Sequence, residues 1–135
     1  MDTLSKEKRS WNMSRIKNRD TKPELRVRSL LHGMGYRFRI HRKDLPGNPD
    51  IVLPKYKKII FVHGCFWHRH AGCKLAYNVK SNVEKWETKF SQNIKRDETN
   101  KKRLSENGWN VHIIWECETK NNNTLKKIIM KIFEL

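Results

Sequence analysis

A chain of 135 residues with 30 Lys and Arg against 14 Asp and Glu carries a formal net charge of +16 at pH 7. This surplus favours a polyanionic partner such as nucleic acid, with an anionic membrane surface as the alternative. The sequence excludes a spanning helix, since no stretch approaches the roughly 18 apolar residues one needs, and we expect no secretory signal because residues 1–20 lack an apolar core. Three cysteines, which cannot all pair with each other, favour a reducing compartment.

The first predicted elements are a basic arm and a capped helix. Residues 1–20 are polar and basic, and we expect an arm that becomes ordered on DNA, followed by one domain over residues 21–135. Thr21, Pro23 and Glu24 fit a helix N-cap, an N1 proline and a capping box. Gly33 and Gly35 are expected to end this helix. Its apolar positions are predicted at Leu25, Leu30, Leu31 and Met34.

Three strands and a loop are predicted next. Tyr36, Phe38 and Ile40 alternate with basic residues, which is the period of a strand with one solvated face. Residues 51–53 and 59–62 are short apolar strands joined by a turn, which predicts a hairpin with Asp50 at its start. Residues 63–82 mix His, Cys, Gly and aromatic residues without periodicity and therefore predict an ordered functional loop.

The remaining elements are a long helix, a strand and a final helix. Residues 83–107 predict an amphipathic helix that Gly108 terminates. Residues 109–115 alternate as a strand, and we assign Trp109 and Trp115 to the core. Thr124 is predicted to cap a last helix over residues 125–133. This order of elements predicts an α/β fold with a mixed sheet. The apolar side of the long helix is predicted to contain Trp86, Phe90, Ile94 and Leu104.

A metal-ligand pattern follows the second apolar strand. Cys65, His70 and Cys73 have the spacing C-x4-H-x2-C, and Cys117 stands at the end of a later predicted strand. Four such ligands suit tetrahedral Zn²⁺, and a site with four protein ligands is structural because it has no open position. Ordinary buried cysteines are the alternative. The short spacing leaves little room for three independent core residues, so we predict zinc that pins the loop to the strand.

A second pattern is typical of nucleases. Asp50 stands before an apolar strand, as in hairpins where an aspartate binds Mg²⁺ and a later E-x-K completes the site; here the later strand offers Phe61, Val62 and His63. The Val62 carbonyl would then serve as the metal ligand and His63 would replace the lysine. Phosphodiester hydrolysis needs a metal, a base and charge neutralisation, which Asp50, His63 and His68 can supply. Singly, each has an ordinary alternative, a turn or a hydrogen-bonded histidine.

The combination of motifs is more specific than any one of them. It comprises Asp50, the run FVHGCFWH from Phe61 to His68, then Trp86, Arg96, Asp97, and the triplet WEC ending at Cys117, in order from about Arg9. Together they resemble the Vsr, or very-short-patch-repair, endonucleases. The resemblance implies a restriction-endonuclease-like fold and a Mg²⁺-dependent nick 5′ of the thymine in a T:G mispair, which arises when 5-methylcytosine deaminates. It also implies a bacterial cytoplasmic enzyme that acts on double-stranded DNA, linked to a cytosine-5 methyltransferase and to mismatch-repair proteins.

The resemblance also assigns roles to residues. It places the metal-binding aspartate on Asp50, the main-chain metal ligand on Val62, the active-site histidines on His63 and His68, and an assisting glutamate on Glu24. The capping box explains Glu24 equally well. Either histidine can be the general base, and we favour His68. Asp97 either orients a histidine from outside the metal site or is a solvated helix carboxylate.

Aromatic residues next to the zinc pattern are predicted to contact DNA. Phe66 and Trp67 directly follow Cys65, so a pinned loop projects both rings close to the hydrolytic centre. The resemblance implies that these rings and Trp86 enter a base step, where a mispair lowers the cost of unstacking. For Trp86, periodicity alone favours core packing with Phe90.

Three functions remain open on sequence grounds. The first is a mismatch-directed nicking enzyme, the second a restriction-type nuclease that cuts matched DNA, and the third a zinc-stabilised DNA-binding module without catalysis. We favour the first because Asp50, His63 and His68 occur together. The chain departs from the family at Val62, where threonine is common, and has one extra residue between His68 and Cys73. A single-strand nick needs one active centre, so we expect a monomer.

Overall fold

The computed structural model describes residues 20–134, so the predicted arm lies outside the described residues except for Asp20. The described helices are α1 (Lys22–Gly33), α2 (Val83–Glu106) and α3 (Asn122–Ile132). The strands are β1 (Ile51–Leu53), β2 (Lys58–His63) and β3 (Asn110–Trp115), with short 3-10 helices at Pro54–Tyr56 and Glu116–Thr119. Over this part of the chain, no helix has the length and apolar character needed to cross a membrane.

The three strands form a mixed sheet in the order β1-β2-β3. β1 and β2 are the predicted antiparallel hairpin, with Ile51 opposite Ile60. β2 and β3 are parallel, with His63 opposite Trp115. A parallel pair needs a long crossover, which the loop over residues 64–82 and α2 provide. The start of β1 and the ends of β2 and β3 therefore lie at the same edge of the sheet.

Helices cover both faces of this sheet. Neighbouring side chains on a strand point to opposite faces, so Ile60 packs with α1 and α3 while Ile59 and Val52 pack with Leu104 of α2. Burying each such side chain stabilises the fold by about 1.5–3 kcal/mol. The predicted α/β class with a mixed, helix-flanked sheet is confirmed. The larger cluster contains Val27, Leu31, Ile51, Leu53, Ile60, Ile114, Leu125, Ile129 and Ile132.

The starts of α1 and α3 test the helix caps that the sequence predicts. At α1 the Thr21 hydroxyl accepts the Glu24 N–H at 3.4 Å, which confirms the predicted N-cap. The α3 prediction was wrong by one turn, because the Asn121 side chain accepts the Thr124 N–H at 3.0 Å and is the true cap. Both residue types are good caps, and the preceding residues decide which one the chain uses. Leu25, predicted on the apolar side of α1, is 50% exposed.

The predicted strand over residues 36–40 is reduced to one bridge. Arg39 exchanges both backbone hydrogen bonds with Val52, at 2.7 and 2.9 Å, and no longer ladder forms there. β1 has only three residues, so it offers a partner too short for a further full strand. Tyr36 and Phe38 still pack against the larger core cluster, as their alternation predicts.

Two predictions of core positions also change. On α2 Ile94 is 39% exposed, and the buried position next to it is taken by Asn93. Trp109, which directly precedes β3, packs partly buried against the Leu104 cluster. Trp115 belongs to neither apolar cluster and instead contacts two histidine rings, at centroid distances of 5.3 Å from His63 and 4.2 Å from His70.

Candidate functional site

One edge of the sheet gathers the groups that the sequence singles out for chemistry. Asp50 directly precedes β1, His63 ends β2 and Trp115 ends β3. The antiparallel and parallel pairings bring these three positions together. The loop over residues 64–82 starts at this edge and leads into α2, which returns past it with Asp97.

Asp50 is a partly buried carboxylate that a hydrogen bond ties to the neighbouring strand. Its Oδ2 accepts the Val62 N–H at 2.6 Å, which holds the carboxylate against that peptide group. Burial, and to a smaller extent the nearby Glu24 carboxylate, raise the pKa of Asp50 to about 7 against the lowering effects of the Val62 N–H and Arg28. A cation beside Asp50 would favour the charged form that burial disfavours.

Glu24 shares a cleft with Asp50. It is 3% exposed, and its Oε2 accepts the Asp20 N–H at 2.8 Å and an Arg28 N–H at 3.1 Å. The two carboxylates line one open cleft of about 440 Å³ whose other walls are mostly basic. Glu24 therefore fixes the start of α1 and also faces Asp50. The remaining lining residues are Arg28, His41, Arg42, Lys43, Asn48 and Pro49.

Two stacked imidazoles lie at the same edge. The rings of His63 and His68 are 3.9 Å apart and nearly parallel, at 9°. His68 Nδ1 lies 2.5 Å from Asp97 Oδ2. Burial first, and then the neighbouring His68, lower the pKa of His63, so this ring is neutral at pH 7. Its Nδ1 is buried without a hydrogen-bond partner among residues 20–134. The pair thus combines one neutral imidazole with one that a carboxylate orients.

The four predicted zinc ligands converge on one point. The sulfurs of Cys65, Cys73 and Cys117 and a ring nitrogen of His70 all lie within 4.8 Å of one another. His70 Nδ1 is 3.6 Å from the Cys65 sulfur and 3.4 Å from the Cys117 sulfur. The Cys117 N–H also points at the Cys65 sulfur, at 3.4 Å. We name these four residues the cysteine cluster.

The donor set of the cysteine cluster fits a soft divalent cation. Burial raises the pKa of Cys65 to about 12, and burial likewise raises the pKa of Cys117. A backbone N–H from Leu75 lowers the pKa of Cys73. Thiols this close cannot all ionise on their own, but a bound cation removes their protons outright. Three sulfurs and one imidazole can hold a metal ion in a tetrahedral arrangement.

Aromatic rings form a cluster on the other side of the loop. Phe66 and Trp67 lie within 5.7 Å of the Trp86 ring on α2, and Phe66 is 5.2 Å from Phe90. Trp67 and Trp86 are only partly buried. Lys89 lies over Trp67 at 5.1 Å from the ring centroid. Trp86 packs near Phe90, as periodicity predicts, and is also partly exposed beside Trp67. Its contact with DNA stays a prediction.

Comparison with known proteins decides the family. The family model described as DNA mismatch endonuclease Vsr matches residues 1–74. The Type II nicking enzyme V.XorIIP of Xanthomonas oryzae pv. oryzae is 44% identical over 133 residues, which are 98% of this chain and 97% of that protein. The DNA mismatch endonuclease Vsr of Escherichia coli is 44% identical over 124 residues, which are 92% of this chain and 79% of that protein.

This chain belongs to the Vsr family. It is a DNA endonuclease, as the combination of motifs predicts. The similarity to the nicking enzyme extends over almost the whole of both chains, so it includes the loop with the cysteine cluster and the strand that ends at Trp115.

The predicted site residues of this Vsr endonuclease fall into separate groups rather than one constellation. His63, His68 and Asp97 have ligand atoms within 4.8 Å of one another, and the cysteine cluster forms a second such group. Asp50 belongs to neither. It is linked to the histidines through β2, where it contacts Val62, the residue before His63. The roles assigned to these residues remain predictions.

Sequence reasoning missed three residues at the site of this Vsr endonuclease. Arg28 bridges Asp20 and Glu24 at 2.7 and 3.1 Å. Asn93, 8% exposed, donates to the Trp67 carbonyl at 3.1 Å and holds the loop on α2. Trp115 separates the two groups of potential metal ligands. A polar residue on the buried side of a helix, three positions after Phe90, was the available signal for Asn93.

Proposed function

We propose that this Vsr endonuclease requires Mg²⁺ and nicks one strand of duplex DNA on the 5′ side of the thymine in a T:G mispair. The observation that supports this most is Asp50, a partly buried carboxylate that opens into a basic cleft at the same sheet edge as two stacked imidazoles. The names of two relatives, a DNA mismatch endonuclease and a Type II nicking enzyme, support the mispair and the single-strand cut.

Asp50 and the Val62 carbonyl are the proposed Mg²⁺ ligands. The hydrogen bond that the Val62 N–H donates to Asp50 Oδ2 holds the carboxylate beside this residue of β2. Glu24 faces the same cleft and can orient metal-bound water, in addition to its role in the helix cap. When bound, Mg²⁺ polarises a phosphoryl oxygen and stabilises the negative charge of the transition state. Mg²⁺ suits this place because it prefers oxygen ligands and keeps several waters.

His68 is the proposed general base. Asp97 holds its Nδ1, so Nε2 is free to accept a proton from the attacking water. Burial keeps His63 neutral, and this ring supports His68 by stacking and lies closer to Val62 along β2. Asp97 therefore acts as a positioning residue that fixes the tautomer and plane of His68.

The cleft beside Asp50 is the proposed path of the cleaved strand. Arg28, His41, Arg42 and Lys43 line it and can neutralise backbone phosphates next to the scissile bond. Contacts of this kind fix the register of DNA without reading its sequence. They account for part of the formal net charge of +16.

The ring cluster of Phe66, Trp67 and Trp86 is proposed to recognise the mispair. Phe66 and Trp67 lie on the same loop as His68 and Trp86 lies on α2, and Lys89 and Arg69 place positive charge over Trp67 and Phe66. Inserting a ring between base pairs costs a few kcal/mol of unstacking, and a mispair lowers that cost. Selection therefore rests on how easily the duplex deforms.

The cysteine cluster is proposed to hold a structural Zn²⁺. Its residues come from the loop and from the 3-10 helix after β3, so a metal there ties the loop to the sheet edge. We also propose that residues 21–135 act as one monomeric nuclease domain with a basic arm, in the bacterial cytoplasm. A cytosine-5 methyltransferase and mismatch-repair proteins are the proposed functional partners, because methylcytosine deamination creates the substrate.

A duplex with one central T:G pair, labelled differently on each strand, tests this function. With Mg²⁺ we expect one cut, in the thymine strand and 5′ of the mispaired base. Matched duplexes with T:A or C:G at that position are the controls, and a T:G duplex without added divalent metal tests the cofactor. Randomised flanking pairs then report the sequence context.

Two other results would support the alternatives. Equal cutting of matched and mispaired duplexes, or cutting of both strands, supports a restriction-type nuclease. Binding that weakens with salt, without any cut in Mg²⁺, supports a DNA-binding module. Either result contradicts the proposed function.

A further inference from the structure

Trp115 occupies a position that the proposed chemistry does not explain. Its indole stacks on the His70 ring of the cysteine cluster, at 4.2 Å between centroids and 7° between planes. Its other neighbour is His63, whose ring meets it edge-on at 5.3 Å and 77°. His63 in turn stacks on His68 at 3.9 Å and 9°. Four rings thus form a continuous series from the cysteine cluster to the imidazole pair.

Packing in the core does not account for this tryptophan. The neighbouring Ile114 is fully buried in the larger apolar cluster, so Trp115 points to the opposite face of β3. It is only partly buried and belongs to neither apolar cluster. Its ring neighbours are polar, titratable side chains rather than aliphatic ones.

The backbone around Trp115 is held firmly in place. The Trp115 N–H donates to Glu118 Oε1 at 2.8 Å, which closes the 3-10 helix that contains Cys117. Glu116 Oε1 accepts the Cys65 N–H at 3.2 Å from the other side of the cluster. The 3-10 helix that provides the cluster ligand Cys117 therefore also holds the backbone of Trp115 and of Cys65.

His63 lacks a corresponding polar anchor. Its Nδ1 is buried without a hydrogen-bond partner among residues 20–134, whereas His68 is held by Asp97. The plane of the His63 ring is therefore set by its ring neighbours, which are Phe61, His68 and Trp115. A shift of one ring displaces the next, because close-packed side chains leave no free space that could absorb the movement.

We propose that Trp115 is a positioning residue that couples the metal occupancy of the cysteine cluster to the orientation of His63 and thereby of His68. With the cluster filled, His70 is fixed, the indole rests against it, and His63 is held in the plane that stacks on His68. With the cluster empty, His70 is released and the series loosens. This inference rests on the proposed roles of the histidines and of the cluster.

The tryptophan just before β3 provides a matched control. Trp109 is also partly buried, but its ring contacts the Leu104 cluster and Lys57 at 5.0 Å, far along the strand from both groups. Replacing Trp109 by Phe or Leu removes the same number of ring atoms without touching the series. Changes seen at Trp115 and not at Trp109 therefore report the ring contacts themselves.

Histidine NMR measures the coupling without using activity. In the full chain labelled with ¹³C at the imidazole carbons and kept free of Mg²⁺, the cluster metal is removed by a chelator. We expect the His63 signal to move in the wild type and in Trp115→Phe and to move much less in Trp115→Leu, and the signal of exposed His32 to stay in place. The His68 signal is expected to move in all three proteins, because His68 lies on the loop that the cluster holds. Equal movement in Trp115→Leu, or no movement of His63 in the wild type, overturns the proposal.

Nicking kinetics provide the second measurement. At saturating DNA, Trp115→Leu is expected to lower the single-turnover rate by about 10- to 100-fold, because displacement of a reacting group by about 1 Å has effects of that size. Metal content and Kd for DNA stay at wild-type values, and Trp115→Phe restores most of the rate. A wild-type rate in Trp115→Leu, or metal loss parallel to the rate loss, overturns the proposal.

Two safeguards keep the outcome clear. If Trp115→Leu does not fold, the wild-type and Trp115→Phe signals still decide, since the wild-type response of His63 is required. If the chain nicks no duplex, the proposed function fails, while the NMR coupling is judged on its own.

Discussion

The cysteine cluster takes three of its four members from one loop, whereas the groups around Asp50 come from α1, the segment before β1, and β2. The cluster's ligand atoms converge within 4.8 Å of one another, and Asp50 belongs to no such group. The first region is closed on itself, as a structural site should be. The second leaves a cleft of about 440 Å³ between its charged groups, which is room for a phosphate and water. Closure therefore distinguishes the proposed structural metal site from the proposed substrate cleft.

Breaking the closed region is expected to have the largest effect. Cys117→Ala removes the one cluster ligand that comes from outside the loop, so the loop loses its attachment to the sheet edge. We expect loss of the bound metal and a fall of more than about 4 kcal/mol in the free energy of unfolding, since structural Zn²⁺ contributes about 10–16 kcal/mol in small domains. Metal analysis and chemical denaturation measure both. Unchanged stability contradicts the structural role, and Lys120→Ala, an exposed neighbour, is the control.

Changing the open region should affect catalysis instead. Asp50→Asn keeps the shape of the side chain but removes the proposed charged metal ligand. We expect the single-turnover nicking rate to fall more than about 100-fold, because metal stabilisation of the transition state contributes several kcal/mol. Kd for DNA and cluster metal content should stay near wild type, with exposed Glu106→Gln as the control. A rate within a few-fold of wild type would remove Asp50 from the mechanism.

The pH dependence of stability sharpens the same contrast. The pKa of Asp50 is raised to about 7 by burial, so the folded state retains a proton that the unfolded state releases near pH 4. Its contribution to stability is fully present below pH 4 and is lost as pH rises to about 7, by roughly 3 to 4 kcal/mol. Without divalent metal, Asp50→Asn should therefore gain stability over wild type as pH increases through this range.

The quantity to measure is the difference in the free energy of unfolding between wild type and Asp50→Asn. His63 has a lowered pKa and contributes the opposite slope, since its stabilisation is lost as pH falls below about 6.5. The contribution of His63 is the same in wild type and in Asp50→Asn, so it cancels when their free energies of unfolding are subtracted at each pH. A difference that does not change between pH 4 and 7 contradicts the raised pKa, and added Mg²⁺ should reduce the difference.

Much of the fold follows from local signals in the sequence. The helix after Thr21, the hairpin at residues 51–62 and the long helix before Gly108 each have a periodicity and a terminus that the structure confirms. The strand expected around Phe38 fails because its length depends on β1, a partner of three residues. The cap at Asn121 was missed because Asn121 and Thr124 are both residue types that cap helices well, and the sequence pattern does not decide between them.

The sequence predicts which residues gather at the site but not the distances between them. The loop motif places the cluster ligands close together on sequence grounds alone. The position of Asp50 relative to the imidazole pair depends on the path of the loop after β2. No local sequence pattern encodes that path. Trp115 was assigned to the core because alternation cannot distinguish aliphatic neighbours from histidine rings across the fold.

The smallest expected effect concerns an aromatic ring on the loop that the cysteine cluster holds. Trp67 lies between Cys65 and His68 in sequence, and Asn93 holds its carbonyl, so Trp67→Ala should leave the loop in place. If this ring stacks on a base at the mispair, the preference for T:G over T:A duplexes should fall by about 5- to 150-fold, since such stacking contributes about 1–3 kcal/mol. Nicking rates on both duplexes give this ratio, and Trp67→Phe should retain most of it. An equal loss on both duplexes would mean that Trp67 supports the loop rather than selecting the mispair.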